Sequence, residues 1–131
     1  MRSLYTLTFR DDIGEGFFIG VFASRSEAEY TAERYKNCVT GFRDYPCEYE
    51  IKEKKVIGAV SEPERVSMIR GWNLDDDMDE TDLWESDLYA DADQARAALA
   101  FTQKEMTRHE WCVSTYRIGE CEWQEGFVRI N

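Results

Sequence analysis

Polar and apolar positions alternate along this chain in short runs, interrupted by two stretches of helical spacing. Leu4–Phe9 is the first alternating run, rich in β-branched and aromatic residues, and predicts a strand. Asp11–Gly16 reads as a turn, with glycine available for a positive φ. Phe17–Phe22 predicts a second strand, which makes a hairpin of the pair. The period changes at Ser24-Arg25-Ser26-Glu27. This is a capping box, in which the Ser24 hydroxyl accepts from an unpaired helix-terminal amide while Glu27 reaches back to the cap. A helix running to about Lys36 places Ala28, Thr31, Ala32 and Tyr35 on one face, and Asn37 and Gly41 bracket its exit. After the loop Gly41–Pro46, Cys47–Lys52 alternates again with Cys47, Tyr49 and Ile51 inward, and the strand extends toward Ile57.

Ser61–Glu64 breaks the pattern and reads as a midpoint linker. Val66–Trp72 is the next predicted strand, and Leu83–Tyr89 returns as another. Asp91-Ala92-Asp93-Gln94 is a second capping box. The helix behind it turns Ala95, Ala98, Leu99 and Thr102 inward and ends near Thr107. Trp111–Ile118 is a strand, Gly119-Glu120 turns into Cys121–Trp123, and Phe127–Ile130 closes the chain. Val21–Glu29 lies over Leu88–Arg96: two apolar strand-end residues, an alanine, a cap, two residues, an acid or amide, and an alanine on the buried face. An alternating strand with a cysteine, Cys47 or Cys112, follows each. The expected architecture is α+β: a single domain over residues 1–131 with pseudo-repeat units of about 1–60 and 61–131. Each unit is a ββαβ repeat, giving a largely antiparallel sheet with two helices on one face.

Composition narrows the function classes. The 43% apolar and 14% aromatic content is enough for a real core, which argues against a disordered chain. The formal net charge of −11 disfavours nucleic acid and anionic membrane as partners, because phosphates are repelled. The N-terminal residues carry no apolar run of signal-peptide length, and no segment approaches a membrane span. The expected location is therefore the cytoplasm, where Cys38, Cys47, Cys112 and Cys121 are reduced.

Most of the acidity is local. Eight of the thirteen residues of Asp75–Asp87 are carboxylates and none is basic. By the predicted repeat, this stretch is an enlarged hairpin connection in the second unit, where the first has only the short turn Asp11–Gly16. Ca²⁺ is the obvious cation for such a run. However, Glu80 stands where an EF-hand loop needs glycine, and Ser86 where it needs a bidentate glutamate, so no metal is expected. A surface complementary to a basic cleft is the other functional reading, with a merely solvated loop as its competitor. Trp72, Met78, Leu83 and Trp84 interleave apolar anchors with the charges.

Enzyme chemistry finds little footing. Paired carboxylates need one desolvated member, which a solvated acidic run does not provide. His109, the lone histidine, reads as a cation near a helix C-terminus. Cys47 and Cys112 lie in the inward phase of their strands, as small buried hydrophobes. Gly14, Gly16 and Gly20 lack the Lys-Ser/Thr ending of a phosphate loop.

Phe18–Glu29, the loop Gly41–Pro46 with its following strand, and the tail Trp123–Phe127 resemble a family of small bacterial α+β domains of unknown function. That resemblance implies the fold but no activity, cofactor or catalytic residue. In those domains the ending follows the strand directly, whereas here a second unit intervenes. In size, charge and cysteine usage the chain also resembles the bacterial immunity proteins that neutralise toxins. The function expected is thus a non-enzymatic, protein-binding inhibitor without cofactor, facing a basic toxin surface. Trp84 would be its anchor, with Trp72 as a flanking contact and Asp76, Asp77, Asp79, Glu80, Asp82, Glu85 and Asp87 as the charged rim. A regulatory or scaffold domain with a solvated acidic loop is the alternative.

Overall fold

The protein is α+β, with six strands and two helices in a computed structural model that describes residues 2–58 and 63–129. The elements are β1 (Ser3–Asp11), β2 (Gly16–Phe22), α1 (Arg25–Cys38), β3 (Cys47–Ile57), β4 (Arg65–Leu74), β5 (Glu80–Tyr89), α2 (Ala92–Glu105) and β6 (Glu110–Arg117). Ser61 and Glu62 of the expected linker, and Ile130 of the closing segment, lie outside the described residues.

The chain divides into two compact units. Residues Arg2–Lys54 form the first together with the segment from Ile118 onward, and Lys55–Arg117 form the second. The first unit has strand order β2-β1-β3. β1 and β2 pair antiparallel from Tyr5↔Phe22 to Arg10↔Gly16, with a bulge after Leu7. The helix α1 starts at Ser24, whose hydroxyl accepts from the Glu27 amide at 3.2 Å. Its buried residues are Ala28, Thr31, Ala32 and Tyr35, the face its spacing predicts. They close over Leu7, Phe9, Phe17, Ile19, Phe22 and Phe42, with Cys47, Tyr49 and Ile51 packed at the margin. Phe42 is the hub, with ring centroids 4.9 Å from Phe9, 5.3 Å from Phe17, 5.3 Å from Tyr35 and 5.0 Å from Phe127.

The tail completes this core. The amides of Gly119 and Glu122 donate to the carbonyls of Val21 and Ile19 at 2.8 and 2.7 Å, which covers backbone that an edge strand would leave open. Gly20 permits the approach, since a Cβ there would lie 2.6 Å from the Glu120 carbonyl oxygen. Phe127 then stacks on Phe17 at 4.5 Å and Trp123 meets the same ring edge-on at 4.8 Å. The Tyr35 hydroxyl donates to the Glu122 carbonyl at 2.7 Å, and burial, followed by the nearby Cys121, pushes its pKa up to about 12. Arg129 bonds both Asp11 and Asp12 and lays its guanidinium 3.8 Å over the Tyr45 ring.

The second unit is leaner and mixed. β5 pairs antiparallel with β4, and β4 pairs antiparallel with the whole of β6, from Arg65↔Arg117 to Trp72↔Glu110. On its other side β5 runs parallel to the last residues of β3, Val56↔Leu88 and Ile57↔Tyr89. α2 is capped by Asp91, whose carboxylate accepts from the Asp93 amide at 2.8 Å, and it buries fully only Ala95. Ala98, Leu99 and Thr102 are half-buried.

Candidate functional site

The acidic stretch does not form an enlarged loop. β4 runs to Leu74 and β5 begins at Glu80, so only Asp75–Asp79 connect them. Within this turn the Asp75 amide donates to the Asp79 carbonyl at 3.1 Å and the Met78 amide to the Asp75 carbonyl at 3.0 Å. One carboxylate oxygen of Asp75 accepts from the amides of Asp77 and Asp79, both at 2.9 Å. The turn of the first unit uses the same bonds. Asp11 N–H meets the Glu15 carbonyl at 3.0 Å and Gly14 N–H the Asp11 carbonyl at 3.2 Å. Oδ1 of Asp11 accepts from the Ile13 and Glu15 amides at 3.1 and 2.8 Å. The left-handed position is Gly14 (φ 87°) in one turn and Met78 (φ 65°) in the other. The expectation of a longer connection fails because extra acids in the sequence extend strand β5, not the turn.

This geometry sorts the predicted residues. Asp76, Asp77, Asp79, Glu80 and Asp82 are exposed around the turn, as is Asp75. Opposite Trp72, β5 carries one residue too many, a bulge that sets Asp82 at φ 54°. The bulge leaves Leu83 49% exposed, and Met78 at the turn is 69% exposed. Both tryptophans are half-buried. Trp84 stands opposite Gly71 and meets Trp111 edge-on, the centroids 6.0 Å apart. Gly71 leaves room for this, since a Cβ there would lie 2.6 Å from the Trp111 ring. Glu85 and Asp87 have partners inside the unit. Glu85 accepts from Arg70 Nε at 3.0 Å, with both side chains nearly nine-tenths buried, and Arg70 also bonds the Tyr116 hydroxyl. Burial works against the Arg70 charge, but Tyr116 and Glu85 outweigh it and raise its pKa. Asp87 accepts from the Lys55 amide at 3.3 Å, beside a second bulge where the buried Ser86 hydroxyl accepts from the Ile69 amide at 2.9 Å.

His109, between α2 and β6, is engaged with the end of β4. Its Nδ1 accepts from the Leu74 amide at 2.9 Å, and its own amide donates to Asn73 Oδ1 at 3.0 Å. Asn73 donates in turn to Asp82 at 3.1 Å, and Arg108 to the Asp82 carbonyl at 2.7 Å. The hairpin is thus tied at its root on the β6 side. The carboxylates of Asp75, Asp77 and Asp79 lie within 4.8 Å of one another and are all exposed. One Asp75 oxygen already holds the turn, so a cation there would compete with two backbone amides for it.

The thiols are free in all four cases. Burial pushes the Cys47 and Cys121 thiols up, which disfavours the nucleophilic thiolate. The residue signals did not reveal one further feature of the first unit. Arg10, Lys36, Arg43 and Tyr45 converge on a cavity of about 650 Å³ although they come from a strand end, a helix end and a loop. No protein-family model matches this chain, and no curated protein and no solved structure matches it either.

Proposed function

We propose that the protein is a non-enzymatic inhibitor that binds a basic partner through the Asp75–Leu83 hairpin, in the manner of an immunity protein facing a toxin's cationic cleft. The observation that carries this reading is the closed, hydrogen-bonded turn on which the charge is displayed. The acids sit on a closed turn held by Asp75 and tied through Asn73 and His109, so little ordering entropy is lost on docking. Met78 and Leu83 are the apolar contacts at the centre of the rim, and Trp72 and Trp84 brace the hairpin from behind. Asp76, Asp77, Asp79, Glu80 and Asp82 steer the partner, while Glu85 and Asp87 hold the strand. Met78 in a left-handed conformation fits a contact residue, since such strain in a non-glycine residue gathers at functional positions.

We further propose that the two units are duplicated ββαβ modules. The matching turn bonds, the oxygen-bearing caps Ser24 and Asp91, the buried alanines Ala28 and Ala95, and the orders β2-β1-β3 and β5-β4-β6 support this.

The binding test is charge reversal. Asp76→Lys, Asp77→Lys and Glu80→Lys combined should cut capture of a basic host protein, lowering its association rate about tenfold or more at low salt with a smaller change in dissociation rate. Equal capture by the folded triple variant removes the hairpin from the mechanism. Capture of no basic protein by the parent chain favours the scaffold alternative.

A further inference from the structure

The cavity in the first unit lies apart from the acidic hairpin in the chain and has a charge balance of its own. Its walls include Arg10 at the end of β1, Lys36 in the last turn of α1, and Arg43 in the loop before β3. Asp11 and Asp12 also line it, but both bind Arg129, and that contact holds the Asp12 carboxyl below the usual carboxylate range. Arg43 is matched by Asp44 at 3.1 Å. Two cations are left. Nη1 of Arg10 donates to the Gly14 carbonyl at 3.1 Å, and Lys36 Nζ lies 5.9 Å from the Tyr49 ring centroid. Among the described residues neither has a carboxylate within ion-pairing distance. Glu48 is the remaining acid on the wall, and because the single Arg129 serves both Asp11 and Asp12 the cationic and anionic side chains balance; what the cavity offers an anion is the local pair Arg10 and Lys36, not a net charge.

The rest of the wall is apolar and fixed. Phe42 is the hub of the aromatic core, and Tyr45 is held by the Arg129 guanidinium at 3.8 Å and by Phe127 at 5.9 Å. Pro46 stiffens the entry to β3. A volume of about 650 Å³ is in the range of small-molecule pockets. We propose that this cavity binds a small organic anion with a planar apolar body, its carboxylate or phosphate head between Arg10 and Lys36 and its ring against Tyr45 and Pro46. A guanidinium and an ammonium without carboxylate partners suit an anionic head, and the fixed aromatic wall loses little entropy on contact with a ring.

Amide NMR titration with benzoate, phenyl phosphate, inorganic phosphate and cyclohexylammonium, at physiological ionic strength to screen the acidic hairpin, tests this. Saturable shifts at Arg10, Lys36, Arg43 and Tyr45 are expected with the two aromatic anions. Whichever head is preferred distinguishes carboxylate from phosphate ligands. Arg10→Gln with Lys36→Gln should weaken binding about tenfold or more, and Lys36→Gln alone, at an exposed helix position, serves if the pair impairs folding. The proposal is overturned if neither aromatic anion saturates, or if inorganic phosphate binds as tightly as phenyl phosphate. Equal binding of the cation, or full affinity in a folded variant, overturns it too.

Discussion

The two units share an element order and a turn, yet they use them differently. In the first, α1 buries four side chains, and Phe9, Phe17, Tyr35, Phe42 and Phe127 pack into one aromatic cluster. In the second, α2 buries one side chain, an alanine, and the aromatic contact is the pair Trp84–Trp111. The first unit's turn carries Gly14 at its left-handed position and buries the Asp11 side chain against Arg129. The second unit's turn carries Met78 and leaves Asp75 in water. Two turns with the same hydrogen bonds thus stand one in a unit filled with apolar volume and the other in a unit that displays charge. The expected cost of a substitution differs accordingly between equivalent positions.

The largest difference should come from the cores. Phe42→Ala removes the ring at the centre of the cluster and should destabilise by about 3–5 kcal/mol. Leu99→Ala on the half-buried face of α2 should cost about 1 kcal/mol. Urea unfolding of the two variants measures both, and equal losses would mean that the second unit is packed as tightly as the first.

How far the sequence foretold this contrast depends on the range of the signal. Local signals held: the Ser24 cap, the Ala28–Tyr35 face of α1 and the inward phase of Cys47, Tyr49 and Ile51 are set by side chains a few residues apart. β3 runs to Ile57 as its alternation indicated, whereas β5 starts three residues before Leu83. Partner choice was not legible. Alternation marks a strand, but it does not say that β5 takes β3 in parallel. The equivalence of the two turns was hidden because Met78 stands where glycine would have signalled a left-handed residue. The partners of Glu85 were hidden as well, since Arg70 lies on another strand and carboxylates in a run look alike. The cavity joins residues from three elements, which no spacing rule connects.

The turn aspartates should differ by a smaller margin. Asp11→Ala strips a buried carboxylate from two amides and from Arg129, and should cost about 3 kcal/mol. Asp75→Ala removes the same pair of amide bonds in water, where the amides can rehydrate, and should cost about 1 kcal/mol. Acid adds a second readout. Asp12 has its pKa lowered by the bond from Arg129, so its contribution to stability is complete above about pH 4 and is lost as pH falls through the depressed value. Arg129→Gln should therefore flatten the acid end of the stability profile. A profile unchanged by that variant would mean that the Arg129 contact is too weak to fix the tail.

The smallest effect is the most specific to the comparison, because it exchanges the one residue by which the turns differ in backbone demand. Left-handed backbone costs a side-chain-bearing residue about 1–2 kcal/mol, and glycine gives back part of that through its greater freedom in the unfolded chain. Met78→Gly should therefore stabilise by about 0.5–1 kcal/mol, and Gly14→Ala should destabilise by a similar amount. No atom stands within 4 Å of a Cβ added at Gly14, so steric contact does not confuse that result and strain alone is measured. The same Met78→Gly protein also separates stability from binding. If Met78 is a contact residue, the more stable variant should bind its basic partner more weakly, with the loss in the dissociation rate because the steering acids are untouched. A variant that gains stability and keeps full affinity would leave Met78 without a role in docking and return the contact surface to Leu83 and the carboxylates.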